Sequence, residues 1–266
     1  MLCEVLSLPV SSYYYRAQET DDVNLRAALE AIAVAYARYG SRRITQELKR
    51  AGWQINRKRV QRLMHEENLL VQVRRYCRTT NSEHSFGRYP NLVKHLSIVR
   101  PDQVWCADLT YIRLPRQFVY LAVVLDIFTR SIRGWDLGGN LLEALPKAAL
   151  ERALVQAHPD IHHSDQGVQY AATGYTSLLQ TAQVQISRSA RGRPTENAFA
   201  ERFMRTLKEE EVSLNEYEDL ADARAHLTHF LDQIYQYKRI HSSLSYLTPA
   251  EFEAHWNAGY IETSGS

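Results

Sequence analysis

Three strand-like runs follow one another closely in the middle of the chain. They cover residues 104–114, 117–128 and 131–137, and each is rich in aromatic and β-branched residues. Two-residue turns at 115–116 and 129–130 join them, and turns this short connect antiparallel neighbours. The order therefore predicts an antiparallel meander of three strands.

Helical and strand-like segments alternate after the meander. A helix is predicted over 141–157, and a strand, a helix, a strand and a helix then follow at 160–164, 175–181, 183–187 and 195–211. A further amphipathic helix covers 220–237. With 266 residues and 45% hydrophobic side chains, the chain can bury a sizeable core. This pattern favours one large α/β domain and one small domain.

The N-terminal part has helical periodicity instead. Helices are predicted over 21–39 and 43–51, and a third follows the turn at Gly52. The apolar residues that should face inward are Leu25, Leu29, Ile32 and Tyr36 in the first helix and Val60, Leu63 and Met64 in the third. Helix, glycine-containing turn and basic helix are the parts of a helix-turn-helix, so an all-α DNA-binding domain is predicted here.

Basic residues concentrate in the same region. Residues 38–78 hold 12 Lys or Arg against 3 Glu, a local charge of +9, whereas the whole chain carries only +2. Such a block indicates a module that binds a polyanion, and contacts to phosphate are expected before any reading of bases. The predicted contact residues are Arg57, Lys58, Arg59 and Arg62. The alternative is a solvated basic face on a small helical bundle.

These patterns divide the chain into four segments. Residues 1–72 form the helical region with the helix-turn-helix, and 73–100 an extended basic linker that is either disordered or lies along DNA. Residues 101–257 form the α/β core with its C-terminal helix, and 258–266 a flexible tail.

Three acidic residues in distant segments share an uncommon setting. Asp108 lies within an apolar, strand-like run, where an unpaired carboxylate is costly. Asp165 follows the predicted strand at 160–164, and ligand sites favour the carboxyl ends of strands in open sheets. Glu201 lies on the helix that Pro194 and Thr195 open. Carboxylates on regular elements suit hard divalent cations such as Mg²⁺, so these acids are candidate metal ligands.

Other polar residues in the same region admit simpler explanations. Asp126 also lies in an apolar strand and is assigned a structural role, pairing with Arg130. His162 and His163 are adjacent on a strand, so they point to opposite faces, and no cysteine pair accompanies them. A structural or supporting role is therefore expected for both, rather than zinc binding.

The residues around the three acids resemble a known family. With thirty-five residues between Asp165 and Glu201, the acids are similar to the Asp-Asp-Glu triad of DDE transposases and retroviral integrases. The resemblance narrows to the second-frame (OrfB-type) transposase of the insertion-sequence-3 (IS3) family and covers nearly the whole chain. The matching motifs are Trp105-x-x-Asp108-Leu109-Thr110-Tyr111-Ile112, Leu125-Asp126-Ile127-Phe128-Thr129-Arg130, His163-Ser164-Asp165-x-Gly167-x-Gln169-Tyr170, Asn197-Ala198-x-Ala200-Glu201 and Arg239-x-His241-Ser242-Ser243-Leu244.

The resemblance implies a fold and an activity. The fold is a ribonuclease H-like α/β core of the retroviral integrase superfamily, preceded by the helix-turn-helix domain. Asp108, Asp165 and Glu201 are implied to hold two Mg²⁺ ions, with Mn²⁺ able to substitute, and to catalyse DNA 3′-end cleavage and strand transfer. The implied partners are double-stranded transposon ends and target DNA, further copies of the chain in a synaptic complex, and a helix-turn-helix protein from an upstream reading frame.

Additional basic residues are predicted to contact DNA around this site. They are Arg188, Arg191, Arg193, Lys208, Arg239 and His241. The arginine cluster at 188–193 could instead be ordinary surface charge, and Arg239 and His241 could instead tie the C-terminal helix to the body. Two other functions stay open: a non-catalytic DNA-binding regulator derived from a transposase, and a ribonuclease H-like nuclease.

Composition sets the expected compartment. Three widely separated cysteines offer neither a disulfide framework nor a paired zinc spacing, and no run is long enough to span a membrane. A cytoplasmic, nucleoid-associated protein of a bacterium, without membrane partners, is therefore expected.

Overall fold

The computed structural model describes residues 22–69, 89–190 and 194–261. The chain divides into two compact units, Met1–Val71 and Gln72–Ser266. Among the described residues, no helix is both long and apolar enough to cross a membrane.

The described part of the first unit is a bundle of helices α1 (Val23–Ala35), α2 (Ser41–Arg50) and α3 (Arg57–Glu66). The core between them holds Leu25 and Leu29 from α1 and Val60, Leu63 and Met64 from α3, as the sequence pattern predicted. Ile32 and Tyr36, which were also predicted to face inward, are only partly buried, and Tyr36 lies just after the end of α1. Gly52 has φ +91° after α2, a conformation that favours glycine. The side chain of Asn56 caps α3 by accepting a hydrogen bond from the Arg59 amide at 2.9 Å.

The second unit is built on a five-stranded sheet with the order β3-β2-β1-β4-β5. Strands β1 (Val104–Arg113), β2 (Phe118–Asp126) and β3 (Ile132–Gly138) are antiparallel neighbours, which confirms the predicted meander. Strands β4 (Ile161–Ser164) and β5 (Gln185–Arg188) continue the sheet on the other side of β1 and run parallel to it.

Helices cover both faces of this sheet. On one face, α4 (Ala144–Gln156) and α5 (Thr173–Thr181) pack against apolar side chains of β1 and β2. On the other face, α6 (Ala198–Leu207) and α7 (Leu220–His229) close the larger core. Helix α4 approaches β3 so closely that a β-carbon on Gly134 would overlap the carbonyl oxygen of Ala149. The fold is therefore the predicted mixed α/β layer structure.

The strands next to β1 differ in length. Pairing between β1 and β4 ends at Cys106 and His163, whereas pairing between β1 and β2 continues to Arg113 and Phe118. Within the described sheet, the second half of β1 is therefore hydrogen-bonded on one side only. The β1–β2 hairpin extends beyond the end of β4, and Asp108 lies where this extension begins.

The two helices of the larger core continue beyond their α-helical parts. π-Helical segments follow α6 at Lys208–Val212 and α7 at Phe230–Lys238. A last helix, α8 (Pro249–Asn257), was not predicted, although its signal is present in the sequence. Thr248 and Glu251 form a reciprocal capping box, with proline at the first helical position.

Helix α8 is attached to the sheet through the buried Arg133 of β3. The Arg133 guanidinium donates to Glu253 of α8 at 2.7 Å and to Asp102, which precedes β1, at 2.8 Å. Asp126 is fully buried and accepts hydrogen bonds from the amide and hydroxyl of Thr129 at 2.9 and 2.6 Å. The structural role predicted for Asp126 thus fits, but its cationic neighbour is Arg133 at 4.0 Å and not the predicted Arg130.

Part of the segment predicted as a linker, residues 89–100, belongs to the second unit and packs against its core. The Leu92 amide donates to the Ser187 hydroxyl of β5 at 2.9 Å, and Val93 and Ile98 pack against the larger core. The predicted linker residues 73–88 lie outside the described residues, as do 262–266 of the predicted tail.

Candidate active site

Asp108 lies in the middle of β1, two residues beyond the last position that pairs with β4. Side chains alternate along a strand, so Asp108 shares a sheet face with Cys106 and Ile112, the face that α6 covers. Its carboxylate is partly buried and accepts a hydrogen bond from the Leu109 amide at 2.9 Å. The strand therefore holds this acid at the edge of the larger core.

Asp165 directly follows β4, at the carboxyl end of the strand next to β1. Its Oδ1 atom accepts a hydrogen bond from the Gly167 amide at 2.8 Å, which forms a tight turn out of the strand. A β-carbon on Gly167 would lie only 2.9 Å from the same oxygen, so a larger residue here would displace the Asp165 carboxylate. The glycine in the sequence motif thus serves to orient Asp165.

Glu201 lies on the first turn of α6, and its side chain is exposed. The start of α6 is fixed to β1 by Asn197, whose Nδ2 donates to the carbonyl oxygen of Ala107 at 3.2 Å. It is fixed to β4 by His163, whose Nε2 lies 3.1 Å from the carbonyl oxygen of Glu196. The start of α6 is thus attached to Ala107, which precedes Asp108 by one residue, and to His163, which precedes Asp165 by two residues.

A second connection holds the turn that precedes α6. The Glu196 carboxylate accepts hydrogen bonds from the Asn91 side chain at 2.9 Å and from the Ala190 amide at 2.6 Å. Asn197 is only 4% exposed, so its amide acts inside the protein. Reasoning from sequence did not assign these residues to the support of the site, although Asn197 and Ala198 stand in the motif that contains Glu201.

The three acids influence one another electrostatically. The pKa of Asp108 is raised from 3.8 to about 7, first by burial and then by the negative charges of Asp165 and Glu201. The hydrogen bond from the Leu109 amide and the charge of Lys208 act in the opposite direction. Asp165 and Glu201 therefore lie near enough to Asp108 to act on its charge, although they come from segments that are distant in sequence.

The donor atoms at this site are oxygens. Carboxylates are the protein ligands that Mg²⁺ and Mn²⁺ prefer, and a cation would relieve the like-charge repulsion that raises the pKa of Asp108. Across the described ranges, no three His, Cys, Asp or Glu side chains already stand as a metal-binding group. The residues fit a divalent cation by chemistry, while Asp108 and Asp165 each accept a backbone hydrogen bond.

The two strand histidines support the fold. His162 Nε2 lies 2.9 Å from the Tyr175 hydroxyl, and His163 Nδ1 lies 2.8 Å from the Ser187 hydroxyl. Burial lowers the pKa of His162 to about 3 and also lowers the pKa of His163, so both rings are neutral at physiological pH. Their contacts are those of structural residues.

Several side chains predicted to bind DNA are buried instead. Arg188 is 2% exposed and donates to the Tyr170 carbonyl at 2.7 Å. Arg239 is also 2% exposed and forms a two-pronged ion pair with Glu210, with both distances at 2.6 Å, while His241 lies beside it. These contacts stabilise the fold. The buried side chains of Arg188, Arg239 and His241 are therefore not placed to contact DNA as predicted.

The other residues predicted to contact DNA differ in their exposure and in the groups they contact. Arg57 and Lys58 are exposed on α3, whereas Arg59 and Arg62 both bind the buried carboxylate of Asp22. The Lys208 ammonium lies 4.9 Å from the centre of the Tyr111 ring and acts electrostatically on Asp108. The predicted contacts Arg191 and Arg193 lie outside the described residues.

Comparisons with known proteins identify the domains and the family of the chain. Two family profiles, each described as "Integrase core domain", match residues 99–194 and 182–249, and one described as "HTH-like domain" matches residues 19–76. The transposase for insertion sequence element IS904 of Lactococcus lactis subsp. lactis (strain IL1403) is 36% identical over 221 residues, covering 81% of this chain and 87% of the relative. Transposase InsF for insertion sequence IS3A of Escherichia coli (strain K12) is 28% identical over 266 residues, covering 95% and 92%.

A solved structure supports the fold assignment. A chain in the cryo-EM structure of the simian T-cell lymphotropic virus intasome, in complex with PP2A regulatory subunit B56 gamma, has a TM-score of 0.51. The match covers 85% of this chain and 74% of that chain at 15% identity. Sheet order, helical layers and family profiles agree on a ribonuclease H-like integrase core. The chain therefore belongs to the IS3 family of insertion-sequence transposases, which are enzymes of the DDE transposase and integrase type.

Proposed function

We propose that Asp108, Asp165 and Glu201 form the catalytic centre for DNA 3′-end cleavage and strand transfer. The observation that carries the proposal is the raised pKa of Asp108, which burial and the two other acids cause. A site of repelling carboxylates is costly, and a chain gains from it only when a cation or a substrate uses the charge. The start of the helix that carries Glu201 is fixed by the Asn197 amide and the His163 imidazole rather than by the carboxylates themselves.

The three carboxylates would hold two Mg²⁺ ions, or Mn²⁺ in their place. When bound, such ions activate the attacking oxygen and stabilise the leaving oxygen of a phosphodiester. The chain itself positions the acids, through β1 for Asp108, the Gly167 turn for Asp165 and the Asn197 contact for Glu201. It also supplies a positively charged side chain, Lys208, which lies close enough to Asp108 to act on the charge of that carboxylate.

The proposed substrates are the double-stranded ends of the mobile element and a target DNA. Residues 1–72 would contact the ends, with the exposed Arg57 and Lys58 on α3 as phosphate contacts, and residues 101–257 would carry out the chemistry. Both ends must be held together for transposition, which favours several copies of this chain in one synaptic complex. An upstream-frame helix-turn-helix protein is the proposed additional partner, and the bacterial nucleoid the proposed location.

The triad is tested by replacing Asp165 with Asn. This change keeps the size of the side chain and its ability to accept the Gly167 hydrogen bond, but it removes the charge. We expect loss of Mg²⁺-dependent cleavage and strand transfer on oligonucleotides that carry the element's own terminal repeats, with DNA binding retained. Asp160→Asn is the control, since Asp160 is exposed and pairs with Arg100. Cleavage by Asp165→Asn at the wild-type rate would remove the assignment.

A further inference from the structure

The β1–β2 hairpin carries an exposed aromatic pair beyond the end of β4. The Tyr111 and Phe118 side chains are 49% and 47% exposed. Their ring centroids lie 5.6 Å apart with an interplanar angle of 87°, an edge-to-face contact. The pair thus forms one continuous aromatic surface at the solvent.

Positive charges surround this surface. The Lys208 ammonium lies 4.9 Å from the centre of the Tyr111 ring, and the Arg113 guanidinium carbon lies 6.0 Å from the centre of the Phe118 ring. Arg116 is exposed at the hairpin turn, and residues 111–118 contain no Asp or Glu. Aromatic rings with interleaved cations are typical of surfaces that bind single-stranded nucleic acid.

The surface lies on the same strand as Asp108 but on the other face of the sheet, because Tyr111 follows Asp108 by three residues and side chains alternate along a strand. Beyond Cys106, β1 pairs with β2 alone among the described strands, so its other edge is open. Lys208 follows α6, the helix on the Asp108 face, yet its ammonium lies 4.9 Å from the centre of the Tyr111 ring. A DNA end held at Asp108 can therefore reach the aromatic pair past this open edge.

The fold does not need the two rings for its core. The opposite face of the hairpin is buried through Ile112, Leu114 and Val119, which are at most 3% exposed. Tyr111 pairs with Tyr120 and Phe118 with Arg113, so Tyr111 and Phe118 are diagonal neighbours, and their contact adds some stability. That stability does not explain why a cationic side chain lies over each ring.

We propose that Tyr111 and Phe118 stack against unpaired bases at the DNA end, while Lys208, Arg113 and Arg116 contact the adjoining phosphates. This inference rests on the proposed function, since it takes a DNA end as the substrate of the acidic site. Cations alone would suffice for a duplex backbone. The exposed ring faces require bases that are not stacked in a helix, so the occupant is a frayed or overhanging end.

The test uses the full chain in a chelator, so that no cleavage occurs. DNA ends carry 2-aminopurine at an unpaired terminal nucleotide, and its fluorescence falls when the base stacks on an aromatic ring. The variant is Tyr111→Leu with Phe118→Leu, and the control is Tyr237→Leu, which removes an equally exposed aromatic ring at 60% exposure. We expect quenching by the wild type and the control, and none by the double variant.

Binding affinity gives the second measurement. The double variant should bind an overhanging end roughly 5- to 100-fold more weakly than the wild type does, while its affinity for a blunt duplex changes little. Equal losses for both ends, or no loss for either, would overturn the proposal. If the leucine variants melt well below the wild type, Tyr111→Trp and Phe118→Trp replace them, and both must retain the quenching.

The proposal and the triad fail independently. Asp165→Asn leaves the hairpin intact, so it should quench 2-aminopurine as the wild type does. If that variant still cleaves DNA, the triad assignment falls and the stacking surface stands. Quenching that persists in the double leucine variant removes the stacking surface and leaves the triad untouched.

Discussion

Replacing Asp108 with Asn should stabilise the metal-free protein at neutral pH. The carboxylate is partly buried beside two other acids, and its pKa is raised from 3.8 to about 7. The folded state thus disfavours the charged form of Asp108, whereas the unfolded chain accepts it without penalty. Asparagine keeps the shape and can still accept the hydrogen bond from the Leu109 amide, but it carries no charge.

The size of the effect follows from the shift in pKa. One pKa unit corresponds to about 1.4 kcal/mol, so the full shift sets an upper bound of about 4 kcal/mol at and above pH 7. Part of that energy belongs to Asp165 and Glu201 as partners, and some relaxation will follow the substitution. We therefore expect a gain of about 1–3 kcal/mol in unfolding free energy, which corresponds to a rise of roughly 3–9 °C in Tm.

The pH dependence of the unfolding free energy shows whether the Asp108 charge destabilises the folded state. Because the folded-state pKa lies above the unfolded value, the native protein binds a proton between pH 4 and 7 that the unfolded chain does not hold. The stability of the wild type should therefore fall as pH rises through this window, and the advantage of Asp108→Asn should vanish near pH 4. Urea unfolding in a chelator from pH 4 to 8 measures both.

Two comparisons decide whether the reasoning holds. Glu216→Gln removes an exposed carboxylate and should leave the unfolding free energy nearly unchanged. Adding Mg²⁺ should stabilise the wild type more than Asp108→Asn, because the ion offsets the repulsion only where the charge is present. An Asp108→Asn protein that is less stable than the wild type at pH 7.5, or equally stable at every pH, would refute the electrostatic account.

Two further substitutions test the fold around the site. Arg239→Met should lower the unfolding free energy by about 3 kcal/mol, since it leaves Glu210 without its buried partner. The salt dependence of DNA binding should not change, and a salt slope lower by about one unit would instead identify Arg239 as a phosphate contact. Gly134→Ala should destabilise the second unit by about 3 kcal/mol in urea unfolding, because the new β-carbon meets the backbone of Ala149 and Ala153 in α4. Gly139→Ala is its control, since a β-carbon there meets no atom within 4 Å.

The sequence predicted the elements whose signals are local. The strand runs, the helices and the turn at Gly52 depend on neighbouring residues, and the structure has them within a few residues of the predicted bounds. The capping box at Thr248 is a local signal of the same kind, so α8 could have been predicted as well. The three acids were predicted as a site from motif spacing and resemblance, which supply information that periodicity does not, and their assignment stays a prediction.

Pairings between distant residues could not be read in the same way. Arg188 and Arg239 have the composition of DNA contacts, but their partners Tyr170 and Glu210 lie 18 and 29 residues away. A basic side chain has the same appearance in sequence whether it meets a phosphate or a buried carboxylate. Only the tertiary structure shows that these two guanidinium groups are already engaged.

The residues that position Glu201 are not the residues that carry the negative charge of the site. The start of α6 is held by an amide donating to the carbonyl of Ala107 and by a neutral imidazole beside the carbonyl of Glu196. Neither contact involves the carboxylates themselves, so groups other than the proposed metal ligands fix the backbone of the acids. Burial and the charges of Asp165 and Glu201 raise the pKa of Asp108 more than the Leu109 hydrogen bond and the Lys208 charge lower it. The remaining repulsion lowers the stability of the metal-free fold, and the same repulsion would favour the uptake of divalent cations.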